Sequence, residues 1–277
     1  MLLLLLLQVL ASCLWLGQSD VVPSFESCPQ FFFDETPPND ALVPDNPAWI
    51  CQRYNNQYHY ATLYNRDLLI PVYSAYFYQP GNATKPAKIW MVEPQLIGPD
   101  YPTAMETETD LIKESKVTLE QISISQAIPD DYKDLKGLNH GHLNPTCHQP
   151  TYSSKKATFS LTNIVPQYDK LNGGEWNRYE VQTMIKNTKG CTTTYVVVGA
   201  VPGNNFIPNN RVNIPSHIWS GVCCEMGMDK ERKAWAFIAE NDKNKVYPIT
   251  LGELENLLTQ FYNKGEVSLF HQDCPRD

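Results

Sequence analysis

GLNHGHLNPTCHQP (residues 137–150) and, about twenty residues on, FSLTNIVPQYDKLNGGEWNRYE (159–180) decide how this chain is read. The first stretch packs three of the chain's six histidines and a cysteine into fourteen positions. Alone it admits three readings. His140, His142 and His148 with Cys147 offer zinc donors, because alternate residues of a strand point to one side. Against that, Asn144-Pro145 interrupts the run and no C-x-x-C partner exists. A polar surface loop accounts for the same residues with no chemistry. A titratable base with neighbours is the third reading, and the amides and carboxylates of 159–180 support it.

The rest of the chain sets limits. MLLLLLLQVLASCLWLGQSD (1–20) is almost wholly apolar from Leu2 to Leu16, short for a bilayer span, and ends in small residues. This is a secretory signal pattern that lacks a basic n-region, with an uncleaved anchor as the alternative. Gly17 and Ser19 at −3 and −1 place cleavage after Ser19, to within a few residues. Residues 20–277 are then a secreted, extracellular chain, sufficient for one large domain or two small ones. Of eight cysteines Cys13 falls in the leader; the remaining seven allow at most three intrachain disulfides and leave one thiol over. Adjacent Cys223 and Cys224 are expected to reach different partners, and Cys28 and Cys51 to pin an irregular Pro- and Asp-rich arm over 20–50. Asn82-Ala83-Thr84 is a glycosylation sequon in a Pro/Gly-rich stretch, which suits an exposed loop. A net charge of −8 and a pI near 5.3 argue against a module that grips nucleic acid by phosphate neutralisation alone. They leave room for an enzyme that meets phosphate through a bound divalent cation.

Periodicity gives the elements. Tyr58 to Tyr78 predicts two antiparallel strands around a turn at Asn65-Arg66-Asp67. A helix is expected near Leu119–Ala127, and Ala157 to Val165 reads as a strand. Trp176, Tyr179 and Met184 recur at roughly helical spacing over 176–186. Thr192–Val201, Ile218–Cys224 and Ala234–Ala239 read as strands, and Thr250-Leu251-Gly252-Glu253 is a capping box ahead of a last helix. Strands without regular βαβ alternation point to an α+β fold, a mostly antiparallel sheet flanked by helices.

Gly141-His142-Leu143-Asn144-Pro145, then Thr162-Asn163, Pro166-Gln167, Asn172, Trp176 and Glu180, resemble the DNA/RNA non-specific endonucleases of the ββα-metal (His-Me finger) type. That family's pattern is D-R-G-H-[LM]-x-P followed by [ST]-N-x-x-P-Q-x-x-x-x-N-x-x-x-W-x-x-x-E. YATLYNRDLLIPVYSAY (60–76), IWMVEPQL (89–96), NIPSHIWSGVCC (213–224) and AENDKNKVYPITLGELE (239–255) look like the vertebrate endonuclease domain-containing members, so the likeness covers nearly all of 20–277 as a single domain. Longer relatives carry a transmembrane tail, which is not expected here.

The resemblance implies the following chemistry. His142 takes a proton from the attacking water, since histidine titrates near neutrality. Mg²⁺ (or Mn²⁺/Ca²⁺) polarises the phosphate from a site on Asn172, a neutral amide that leaves a water-rich shell. Glu180 holds a metal-bound water. Asn163, Gln167 and His140 shape the site or contact substrate, and Arg178 joins them as a substrate contact unless it lies on a solvated face. DNA and RNA would be the substrates, cut to leave 5′-phosphates.

The chain departs from the pattern where Asp-Arg-Gly-His reads Asn139-His140-Gly141-His142. The missing Arg is a permanently charged, bidentate phosphate ligand, and losing one such contact costs on the order of a hundredfold in rate. If His140 replaces it, activity should rise as this ring protonates between about pH 7 and 5.5. A non-catalytic secreted binding or immune protein on the same scaffold is the alternative.

Overall fold

The computed structural model describes residues 20–207, 210–227 and 231–277; the leader and its expected cleavage signal at Gly17 and Ser19 lie outside the described residues. β1 (Val21–Val22), β2 (Pro47–Tyr54), β3 (Gln57–Asn65) and β4 (Ile70–Phe77) open the molecule as an antiparallel meander. Asn55 and Asn56 form the β2–β3 turn with φ of 49° and 59°, which matches the twist of the flanking strands. At the next turn the Asn65 side chain accepts from the Asp67 and Leu68 amides. Helices α1 (Glu108–Ser115), α2 (Leu119–Ser125) and α3 (Tyr152–Ala157) follow, each capped by a threonine.

β5 (Leu138–His142) pairs β6 (Ile164–Tyr168) in a separate ribbon, and α4 (Asp169–Asn172) continues directly from β6. α5 (Glu175–Arg178), a π turn (Tyr179–Thr183) and α6 (Met184–Asn187) then run on as one helix. The sequence contains the reason for the π turn. Trp176, Tyr179 and Met184 are all buried, yet five residues from Tyr179 to Met184 overshoot an α-helical face. One wider turn brings both onto the core side.

β7 (Cys191–Val201), the short ribbon of β8 (Asn205–Phe206) and β9 (Asn213–Ile214), β10 (His217–Met226), β11 (Glu231–Glu240) and β12 (Tyr247–Ile249) complete the strands. The main sheet has eight, in the order β1-β2-β3-β4-β7-β10-β11-β12, every neighbouring pair antiparallel. Alternation along β7 feeds two cores: Val196, Val198 and Ala200 face one, Val197 and Val201 the other. The N-terminal arm (Phe25, Phe31, Phe32, Phe33) and α7 (Leu251–Tyr262) cover one face. The β5–β6–helix unit covers the other with Ile164, Trp176 and Tyr179. The Thr250 capping box forms as expected.

Among the described residues disulfides join Cys28 to Cys51, Cys191 to Cys224 and Cys223 to Cys274, leaving the Cys147 thiol. Cys223 and Cys224 point to opposite faces of β10, so they must find different partners. None of the helices among the described residues is long and apolar enough to cross a membrane.

One expected strand is displaced. Residues 157–163 do not form a strand: α3 ends at Ala157, Ser160 makes only an isolated bridge to Met91, a short turn spans Leu161–Asn163, and β6 begins only at Ile164. Local side-chain bonds win here: Thr158 donates to the Lys155 carbonyl and the Thr162 amide donates to the Ser160 hydroxyl.

Candidate active site

Antiparallel pairing of Leu138–His142 with Ile164–Tyr168 puts His140 opposite Pro166 and His142 opposite Ile164. Both rings face the same side, into a cleft of about 570 Å³ lined also by Lys85, Lys88, Trp90, Cys147, Asn172, Asn177 and Glu180. The intervening glycine has a packing reason. A Cβ on Gly141 would strike the Gln167 side chain across the ribbon. At the helix start, a Cβ on Gly174 would strike the Lys170 carbonyl and the Asn244 side chain, and the latter accepts from the Glu175 amide. Asn241 clamps the ribbon by accepting from the Tyr168 amide and donating to the Pro166 and Pro215 carbonyls. Asn172 thus ends α4, and Glu180 sits on the π turn, both opening onto the space in front of His142.

The His142 ring lies 5.4 Å from Trp90 and edge-on to Phe159 at 5.5 Å. Its Nε2 is buried without a partner. Burial, then the neighbouring His140, Lys85 and Lys88 charges, lower its pKa to about 3, so it is a neutral imidazole at any pH near neutrality. Glu180 goes the other way: burial raises its carboxyl to about 8, despite the nearby Trp176 indole that favours the charged form. The turn carrying Glu180 is fixed from behind. Its carbonyl accepts from His148 Nε2 at 2.9 Å, so His148 Nδ1 accepts from the Tyr76 hydroxyl at 3.0 Å.

The family model for DNA/RNA non-specific endonucleases matches residues 37–270. The chain belongs to that family. It is 29% identical over 263 residues to the endonuclease domain-containing 1 protein of Mus musculus, covering 90% of this chain and 48% of the relative. With the Homo sapiens protein of the same name it shares 29% over 208 residues, 72% of this chain and 39% of the relative. It is 30% identical over 89 residues to mitochondrial endonuclease G of Bos taurus, 32% of this chain and 28% of that one. This family member therefore spans about half or less of the curated relatives it matches. The crystal structure of the EndoG/EndoGI complex superposes with a TM-score of 0.53 at 15% identity, over 77% of this chain and 87% of that one. The α+β, ββα-metal nuclease fold expected from the motif is the one the endonuclease-family chain adopts.

The remaining expected residues divide sharply. His140 reaches the cleft, but its ring is stacked between Trp90 (4.6 Å, 10°) and Tyr132 (4.9 Å, 29°). Burial, with Lys88 beside it, lowers its pKa to about 4. It stays neutral between pH 7 and 5.5, so the expected gain of activity from its protonation in that range has no group to drive it. Asn163 is fully buried and does not line the cleft. It accepts from the Ser74 hydroxyl and the Asn144 amide, and donates to the Asn144 and Thr158 carbonyls. Gln167 is buried against Gly141. Arg178 points outward, paired with Glu175 at 3.6 Å. Of the alternatives expected for these three, Asn163 and Gln167 shape the frame of the site and Arg178 lies on the solvated face. The zinc reading also fails among the described residues, which contain no group of three or more His, Cys, Asp or Glu able to hold a metal. His148 is committed to Tyr76 and Glu180, and the Cys147 thiol is pushed up to about 12, chiefly by burial.

Lys85, Lys88 and Trp90 went unread in the sequence. They sit on the irregular strap over 78–90, which has no periodicity to mark a facing side. Lys155 Nζ holds that strap by donating to the Gly81 and Ala83 carbonyls. Asn82 between them is exposed, as a glycan acceptor would need.

For a metal, the cleft offers oxygen donors: the Asn172 amide and the Glu180 carboxyl. That set suits a hard, water-rich cation rather than a thiolate- or imidazole-loving one. The protonated Glu180 gives a test. Its raised pKa contributes stability in full below the unfolded value near 4.3–4.5, and that contribution is lost as pH rises through about 8. In EDTA the melting temperature of Glu180→Gln relative to the parent should therefore climb from pH 5 to pH 9, and Mg²⁺ should close the gap at high pH. A gap constant with pH would mean that Glu180 is not held protonated.

Proposed function

We propose that the protein is a secreted, divalent-cation-dependent endonuclease that hydrolyses DNA and RNA phosphodiesters without sequence preference. The observation that carries this reading is the convergence of His142, Asn172 and Glu180, distant in sequence, on one cleft of a ββα frame. His142 is neutral and its unpartnered Nε2 can take a proton from the attacking water, as a base weakened by burial against Trp90 and Phe159. Asn172 would hold the cation and Glu180 a water of its shell, with Mg²⁺ the ion best matched to a neutral amide and a shell of waters. When bound, that ion supplies charge neutralisation at the phosphate and help for the leaving 3′-oxygen. Asn163 and Gln167 act by positioning: one ties the loop after His142 to the sheet, the other backs Gly141. The three disulfides fit an oxidising, extracellular destination.

With a neutral His140 where the family has Arg, fixed positive charge must come from elsewhere. Lys85 and Lys88 line the cleft, and neither is in an ion pair among the described residues. In a chain of net charge −8 they are suited to draw in the phosphate backbone. Replacing both by Ala should raise KM by roughly tenfold and reduce the slope of log KM against log salt by about two, with kcat changed far less. Unchanged salt dependence would remove both lysines from the substrate path.

A further inference from the structure

Asp20 and Glu93 form a second cluster of titratable groups, outside the cleft lining and fully buried. Asp20 is clamped on every side. Its amide donates to Gln95 Oε1 at 3.0 Å, its carbonyl accepts from the Cys51 amide at 2.7 Å, and its Oδ1 accepts from the Val21 amide at 3.0 Å. Glu93 Oε1 accepts from the Ser160 and Thr162 hydroxyls at 2.8 and 3.4 Å. Among the described residues Asp20 Oδ2 and Glu93 Oε2 meet no donor from any third residue, and the two carboxyls hydrogen-bond each other. Burial first, then the charge of Glu93, pushes the Asp20 carboxyl well above the usual range. Two carboxyls shut away together are costly without a counter-charge. Among the described residues no Lys, Arg or His forms an ion pair with either.

The sequence supplies a cation at this spot. Hydrolysis of the Ser19–Asp20 amide by a signal peptidase consumes one water. The hydroxyl goes to the Ser19 carbonyl carbon, and the freed Asp20 nitrogen takes up protons to become –NH₃⁺. An amide nitrogen has one hydrogen, already given to Gln95; an ammonium has three. The two extra donors and the positive charge arise on the residue that carries one of the two paired carboxyls.

We propose that the buried Asp20–Glu93 carboxyl pair is the seat of the mature N-terminus, completed by the Asp20 α-ammonium only after the leader is cut after Ser19. Glu93 hands the effect on through Ser160 and Thr162 to the segment that carries Asn163, so processing stiffens the frame behind the cleft. The inference does not depend on the nuclease reading, because its readouts are the terminus and the melting temperature.

The test uses protein secreted with its own leader, its N-terminus identified by mass spectrometry. The chain should begin at Asp20 and melt at least about 5 °C above the same chain carrying two extra residues before Asp20. In a Glu93→Gln background that gap should shrink by more than half. Should the extended chain fail to fold, the wild type alone decides: acylation of its α-amine should be at least about tenfold slower in native than in urea-unfolded protein. A start elsewhere than Asp20, equal melting temperatures, or native labelling as fast as unfolded would overturn the proposal. So would a gap that disappears on adding EDTA, since the carboxyl pair would then belong to a metal ion.

Discussion

His142→Ala should lower the divalent-cation-dependent cleavage rate by at least about a thousandfold, the upper half of what a general base contributes. The same change should move the melting temperature by no more than about 3 °C, since the ring is half-buried and its Nε2 already lacks a partner. That split between activity and stability is the signature of a group that acts on substrate. The effect belongs in kcat, because a base that takes a proton in the transition state adds little to ground-state binding. A variant keeping a tenth or more of the wild-type rate would take His142 out of the base role.

Asn163→Ala should behave in the opposite way. Its amide satisfies the Ser74 hydroxyl, the Asn144 amide and the Asn144 and Thr158 carbonyls in a fully buried site. Truncation leaves those groups unpaired, at a cost of roughly 3–5 kcal/mol. The melting temperature should fall by about 6–20 °C. Activity below the new melting point should survive better than in His142→Ala. A stable variant with abolished activity would mean that Asn163 touches substrate after all.

Much of the frame was legible because its signals are local. The Asn65 turn, the Thr250 capping box, the opposite partners of Cys223 and Cys224, and the alternation of Thr192–Val201 each follow from residues a few positions apart. Of the motif residues, His142, Asn172 and Glu180 line one cleft. Failures came where a side chain's surroundings are set by distant chain. Matching a motif gives a residue's identity but not its direction, so it left open whether Asn163, Gln167 and Arg178 contact substrate; two face inward and one faces solvent. His140 passed for a titrating switch because the rings that bury it, Trp90 and Tyr132, lie on segments with no mark of their closeness. Lys85 and Lys88 were invisible for the same reason. Residues 157–163 satisfied strand composition, yet their hydroxyls and the Asn163 amide found nearer partners than a neighbouring strand.

The measurement that tests the central claim most directly is incubation of purified mature protein with plasmid DNA and with single-stranded RNA, in Mg²⁺ or in EDTA, from pH 6 to 8.5. The account predicts cleavage of both in Mg²⁺ alone, leaving 5′-phosphate ends. The rate should rise toward pH 8 as the Glu180 carboxyl loses its proton to solvent, with no optimum between pH 6 and 7. Well-folded protein that cleaves neither substrate at any of these pH values would contradict it, and would leave a nuclease frame whose cleft serves binding alone.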